Sequence, residues 1–231
     1  MKTLICIGGG ELRERTTLKI DEYIANLAKS RAGEKRANAL FIPTASHDFM
    51  PYYNTFHKVY TGVFNIKTDV ALTVFRESDP EKLRSKFEKA DMIYIGGGDT
   101  LFMIESWRNS GIDALLLDAY NRGVIICGLS AGAICYFDKM FTDTSALGIG
   151  GKYTVQNGLG WLDGMVCPHY NARKIEFDSE TTGYAMRRLA LSDDSAIVFN
   201  DDKLVGSLSS GGTAYSMEND IPTPILPVLN Q

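Results

Sequence analysis

The chain has 231 residues, 45% of them hydrophobic and 23% charged, with a formal net charge of −4. That is enough chain to bury an apolar core without staples, and mild negative charge with no basic run excludes the electrostatic footprint of a nucleic-acid or anionic-membrane binder. No stretch approaches the roughly eighteen apolar residues of a membrane-spanning helix. Cys6, Cys127, Cys135 and Cys167 lie apart in apolar runs with no CxxC pair, which reads as reduced thiols in a soluble, cytoplasmic protein.

The opening "TLICIGGG" reads as a buried first strand running into a glycine turn, its apolar patch too short for a signal peptide. "TLKIDEYIANLAKSRA" places Leu18, Tyr23, Ile24, Leu27 and Ala28 at helical spacing. "ANALFIPTAS" is the next strand, "PYYNTFHKVYTGVF" a helix opened by Pro51, and "TDVALTVF" a third strand. "DPEKLRSKFEKA" is a helix with Asp79 as its cap, and "DMIYIGGG" a fourth strand. "DTLFMIESWRNSG" and "GIDALLLDAYNRG" are helices, and "VIICG" a fifth strand.

This alternation implies parallel βαβ units, hence an α/β fold with a doubly wound, mostly parallel sheet, whose ligands bind beyond the carboxyl ends of the strands. Those ends carry Gly8-Gly9-Gly10, Thr44-Ala45-Ser46-His47, Gly96-Gly97-Gly98-Asp99 and the turn around Ser130. After about residue 140 short pieces suggest a smaller β-rich portion, with one helix near "TTGYAMRRLALS" and an extended proline-rich tail. Without a linker or repeat, residues 1–231 read as a single domain.

Gly128-x-Ser130-x-Gly132 has the form of a nucleophile elbow, a tight strand-to-helix turn that lifts a serine hydroxyl clear of the chain and aims the next amide, that of Ala131, at a developing oxyanion. Its place after a strand and before an apolar helix start supports that reading over an incidental serine. A base is then needed. His169, after Pro168 in "MVCPHY", sits where a loop can present an imidazole; His57 falls within a helix and His47 at a strand end, and both read as structural. Asp138, Asp143, Asp163, Glu176 and Asp178 are the acids considered for orienting the imidazole, Asp143 foremost because a polar turn could fold it back.

"IYIGGGDTLFM", then "GLSAGAICYF", then "PHY" resemble the dipeptidase E and cyanophycinase family of serine peptidases, peptidase family S51, over roughly residues 92 to 170. The resemblance implies a flavodoxin-like fold related to class I glutamine amidotransferases, whose elbow carries cysteine where this chain has Ser130. It implies Ser130 as nucleophile, His169 as general base, oxyanion donors at Gly98 and Ala131, and a third residue shortly after the elbow, for which Asp143 is the nearest match. Some members have GGGN where this chain has GGGD, so Asp99 either contacts a substrate amine or caps the following helix, the favoured role. Arg173 is a candidate clamp for a substrate carboxylate, its alternative a solvated loop charge.

The expected activity is hydrolysis of short peptides, dipeptidase- or aminopeptidase-like, in a family where dipeptidase E relatives favour an N-terminal aspartate and cyanophycinases cleave an aspartate–arginine polymer. No cofactor and no metal are expected; the expected partner is a small peptide substrate, with no nucleic acid and no membrane, for a monomer or homodimer. The competing reading is a non-catalytic small-molecule-binding domain of amidotransferase-like fold. A nucleotide-binding role for Gly8-Gly9-Gly10 fails on pattern, since the G-x-G-x-x-G fingerprint would need glycine where Arg13 stands.

Overall fold

The computed structural model describes residues 1–75, 79–143 and 152–228. In chain order these form β1 (Thr3–Ile7), α1 (Leu18–Ala32), β2 (Asn38–Ile42), α2 (Met50–Gly62), β3 (Lys67–Val70), α3 (Pro80–Lys89), β4 (Met92–Ile95), α4 (Thr100–Ser110), α5 (Ile112–Asn121) and β5 (Ile125–Leu129). There follow α6 (Ala131–Ile134), β6 (Phe137–Asp143), β7 (Tyr153–Asn157), β8 (Leu162–Cys167), α7 (Tyr170–Thr181), β9 (Arg188–Leu191), β10 (Ser195–Asn200), β11 (Lys203–Ser209), β12 (Ala214–Glu218) and β13 (Ile221–Pro224).

The first sheet has seven strands in the order β11-β10-β1-β5-β4-β2-β3. The five strands from β1 to β3 pair in parallel, and the β10–β11 hairpin adds an antiparallel edge beside β1. The inner strands β1, β5, β4 and β2 are largely apolar because both of their faces are covered, whereas the edge strands β3 and β11 carry polar, exposed positions. Leu4, Cys6, Ile93, Ile95 and Ile126 face α3, α4 and α5 through Phe87, Met103, Trp107 and Leu116. Ile5, Ile7, Phe41, Tyr94 and Cys127 face α1 and α2 through Ile20, Ile24, Phe56 and Tyr60. The chain steps outward from β1 to β3 with its helices on one face and returns through β4 to β5 with helices on the other, as right-handed crossovers require. This is the doubly wound α/β architecture read from the alternation.

The second sheet has six strands, β13-β12-β9-β8-β6-β7, with β6, β8 and β9 parallel. Phe137, Met140, Val166 and Leu189 on one face join the core of the first sheet, and the opposite face packs on α7 through Phe141, Cys167, Tyr170 and Phe177. Main-chain polarity is closed locally. Asp79 caps α3 by accepting the Glu81 and Lys82 amides, and Gly111, at φ 74°, makes the left-handed corner between α4 and α5.

Three expectations need correction. The helix placed near "TTGYAMRRLALS" lies earlier, over Tyr170–Thr181, and Arg188–Leu191 is strand β9, which the parallel ladder with β8 holds extended. The third strand stops at Val70, since the Asp48 carboxylate gathers the amides of Thr73, Val74 and Phe75 and turns the chain there. The helix leaving the Ser130 turn is a single turn, so Asp138 and Asp143 lie on strand β6. Most of the polar turn drawn beyond Asp143 falls at residues 144–151, outside the described residues.

Candidate active site

Ser130 stands between the end of β5 and the start of α6 with φ 54° and ψ −109°, a conformation that costs an L-residue about 1–3 kcal/mol. The two flanking glycines permit it. A Cβ at Gly128 would lie 2.2 Å from the Gly132 carbonyl oxygen, and one at Gly132 would lie 2.4 Å from that of Ile95. The Ser130 amide is tied to the Ile7 carbonyl of β1 at 2.9 Å.

His169 arrives from the second sheet. It follows β8 through Pro168, adopts a left-handed conformation (φ 51°, ψ 40°) as the residue before α7, and donates its amide to the Gly8 carbonyl at 3.0 Å. Its Nε2 lies 2.9 Å from Ser130 Oγ and its Nδ1 2.5 Å from Asp193 Oδ1. Asn171, two residues into α7, holds Asp193 at two points: its Nδ2 donates to the carboxylate Oδ2 at 3.1 Å and its Oδ1 accepts the Asp193 backbone amide at 3.1 Å.

The imidazole's carboxylate partner is therefore Asp193, and the expectation of Asp143 is corrected. Asp143 closes β6, paired in register with Tyr153, while β8 and β9 run parallel with Cys167 opposite Ala190, so His169 and Asp193 leave neighbouring strand ends together. Of the other acids considered, Asp138, Asp163 and Glu176 are exposed, and Asp178 is engaged by Tyr170 and Lys174. Asp193 was missed because β9 was read as helix. The signal that finds it is the Asp193-Asp194 pair one residue beyond the short Leu-Ala-Leu run.

Gly8-Gly9-Gly10 holds the His–Asp pair. Besides the Gly8 contact, the Gly9 carbonyl accepts the Asp194 amide at 3.0 Å. A Cβ at Gly9 would fall 1.9 Å from Asp193 Oδ1 and 2.4 Å from His169 Nδ1.

The amides of the second glycine loop are partitioned. Gly96 N–H goes to the Ile42 carbonyl at 3.1 Å and Gly97 N–H to the Tyr52 hydroxyl at 3.3 Å. The Gly98 N–H has no partner among the described residues, and Gly98 (φ 140°) presses on the Ala45 carbonyl, which leaves no room for a Cβ. Ala131 is the first residue of α6, a position whose N–H has no intrahelical acceptor. Asp99 accepts the Phe102 amide at 3.0 Å and so caps α4.

Ser130, His169, Leu129, Gly97, Gly98, Tyr52 and Phe49 line a cleft of about 520 Å³ together with Gly10, Glu11, Leu12 and Arg13. Across the shared residues Arg13, Pro51 and Thr55 lies a groove of about 410 Å³ lined also by Arg15, Asn54 and Lys58. Arg173 lies elsewhere: its guanidinium stacks 4.6 Å from the Tyr153 ring centre and reaches the Phe141 carbonyl at 3.4 Å. His57 bonds Thr68 and His47 stacks on Phe102. Burial pushes the pKa of all four cysteine thiols up, so none is a ready nucleophile. Among the described residues no group of His, Cys, Asp and Glu could hold a metal ion, and no helix is long and apolar enough to cross a membrane.

The family model for peptidase family S51 matches residues 4–206. The chain belongs to peptidase family S51. It is thereby a peptidase, a hydrolase of peptide bonds. Among its relatives is the uncharacterised peptidase YgaJ of Bacillus subtilis, 32% identical over 99% of this chain and 98% of that protein. The uncharacterised peptidase Lin0382 of Listeria innocua is 27% identical over 75% of this chain and 85% of that protein. Two solved structures share the fold of this S51 chain. A peptidase from an acI-B1 Actinobacterium superposes with a TM-score of 0.75 at 15% identity, covering 98% of this chain and 95% of that one. A putative peptidase E protein from Listeria monocytogenes gives 0.65 at 20% identity, covering 90% and 98%.

Proposed function

We propose that this S51 member is a serine peptidase that hydrolyses short peptides through Ser130, His169 and Asp193. The observation that carries the reading is the continuous chain from Ser130 Oγ through His169 Nε2 and Nδ1 to Asp193 Oδ1, at 2.9 and 2.5 Å. Asp193 accepts from Nδ1–H and fixes the tautomer in which Nε2 is free to accept the serine proton. Ser130 Oγ attacks the scissile carbonyl as His169 takes its hydrogen, and the carbonyl oxygen becomes an oxyanion facing the Gly98 and Ala131 amides. His169 then protonates the leaving amine, and water, activated by the same imidazole, releases the acyl group. The backbone strain at Ser130 supports this role, since a merely structural serine gains nothing from a conformation that costs energy.

The cleft's dimensions favour a short peptide. A preference for an acidic residue, an N-terminal aspartate in dipeptidase fashion, is supported by the adjoining groove, where Arg13, Arg15 and Lys58 supply three cations. Arg173 is spent on Tyr153 and the Phe141 carbonyl, so we assign the carboxylate to the groove instead. The four unpaired, buried cysteines favour a cytoplasmic location.

The test is a panel of dipeptides and aminoacyl-nitroanilides with wild type and Ser130→Ala, alongside labelling by a fluorophosphonate. Hydrolysis and labelling should both vanish in a folded Ser130→Ala, with rate losses of several powers of ten. An unlabelled, inactive wild type would overturn the serine-peptidase reading.

A further inference from the structure

Tyr52 sits in the first turn of α2, directly after Pro51, with its ring edge-on to Phe41 at 5.1 Å between centroids. A Cβ at Gly96 would meet that ring at 2.8 Å, so the glycine loop and the phenol are fitted to each other. The hydroxyl oxygen accepts the Gly97 amide at 3.3 Å. A phenol that accepts through its oxygen must send its own hydrogen elsewhere, and among the described residues no acceptor takes it. The residue lines the same cleft as Ser130 and His169. The amide that fixes the phenol is itself beside the serine, for a Cβ at Gly97 would lie 3.3 Å from Ser130 Cβ. Burial pushes the phenol pKa up to about 12, so the group stays a donor throughout the neutral range.

We propose that Tyr52 is a further catalytic residue, its phenolic O–H donating to the oxyanion of the tetrahedral intermediate beside the amides of Gly98 and Ala131. The inference rests on the serine-peptidase reading above. No proton is transferred: the phenol stays neutral and its hydrogen bond shortens as negative charge gathers on the substrate oxygen. Gly97 N–H, donating into the phenol oxygen, polarises the O–H and makes it the better donor. The loop thus acts twice, directly through Gly98 and by relay through Gly97 and Tyr52.

The experiment is Tyr52→Phe, which removes one oxygen and keeps the ring, measured on the best peptide of the panel with Ser130→Ala in parallel. Loss of one preorganised oxyanion donor should lower kcat roughly 100-fold, with KM within about twofold and the unfolding midpoint unchanged. A peptide boronic acid, which forms a tetrahedral adduct on the serine, should bind weaker by the same factor as the loss in kcat/KM. A role confined to propping the glycine loop would move KM and the unfolding midpoint without that parallel. An active wild type, an inactive Ser130→Ala and a Tyr52→Phe whose kcat is within threefold of wild type would overturn the inference while leaving the peptidase reading intact. An inactive wild type that resists fluorophosphonate overturns both. If Tyr52→Phe does not fold, 3,5-difluorotyrosine at position 52 retains the donor but acidifies it, and activity should fall at alkaline pH along a limb absent from wild type; no such limb overturns the inference.

Discussion

Gly9→Ala tests whether the first glycine turn exists to admit the His169–Asp193 pair. The added methyl carbon falls 1.9 Å from Asp193 Oδ1 and 2.4 Å from His169 Nδ1, where real side chains essentially never come closer than about 3.0 Å. Reaching even that limit requires the carboxylate to retreat by about 1.1 Å and the ring by about 0.6 Å. Those groups are bonded at 2.5 Å, and the ring's other nitrogen is 2.9 Å from Ser130 Oγ, so neither can move alone without stretching one of the two bonds. Misplacing a reacting group by about 1 Å can cost about 10²-fold, and losing the carboxylate that orients the imidazole costs up to about 10⁴-fold. The expected loss in kcat therefore lies between those limits, about 3–5 kcal/mol in activation free energy. The assay is kcat and the rate of fluorophosphonate labelling, with urea unfolding to show that the fold survives. Gly62→Ala is the control, since a Cβ at Gly62 meets nothing within 4 Å. A Gly9→Ala enzyme within threefold of wild type in both rates would refute the argument that this close approach is what the glycine serves.

Asp193→Asn should lower kcat by roughly 10³- to 10⁴-fold with the fold intact, whereas Asp143→Asn should stay within threefold; the reverse ranking in the same peptidase assay would return the orienting role to β6. Asp21 is fully buried in α1 between Thr17 and Tyr60, and burial raises its pKa from 3.8 to about 6. The folded state holds this proton more tightly than the unfolded chain, so the contribution to stability is complete below pH 4 and is lost as pH rises through about 6. The loss amounts to about 3 kcal/mol, and the difference in urea stability between wild type and Asp21→Asn, followed from pH 4 to 7, should show it; a pH-independent difference would show that the buried carboxyl is not the titrating group.

The parts of this site that were legible in the sequence are those whose physical reason lies within a few residues of themselves. Gly128 and Gly132 are required by the Ser130 turn they flank, and the apolar runs of β1, β4 and β5 follow from a sheet covered on both faces, so the strand exits and the serine could be read off together. Asp193 could not, because its reason is a neighbour 24 positions away, just beyond the end of another strand. β9 is four residues long, and the Met-Arg-Arg-Leu-Ala-Leu segment that contains it is made of good helix formers; the ladders with β8 and β12 make it a strand, and the one with β8 brings Asp193 level with His169. Gly8-Gly9-Gly10 was visible as a rim, yet its role depends on the serine coming from the first sheet and the imidazole from the second. β1 exits between them, taking the Ser130 amide on Ile7 and the His169 amide on Gly8. Two consecutive carbonyls, the last of β1 and the first beyond it, thus set the separation of nucleophile and base, so the rigidity of the candidate site is inherited from β1 rather than from the turn that carries the serine.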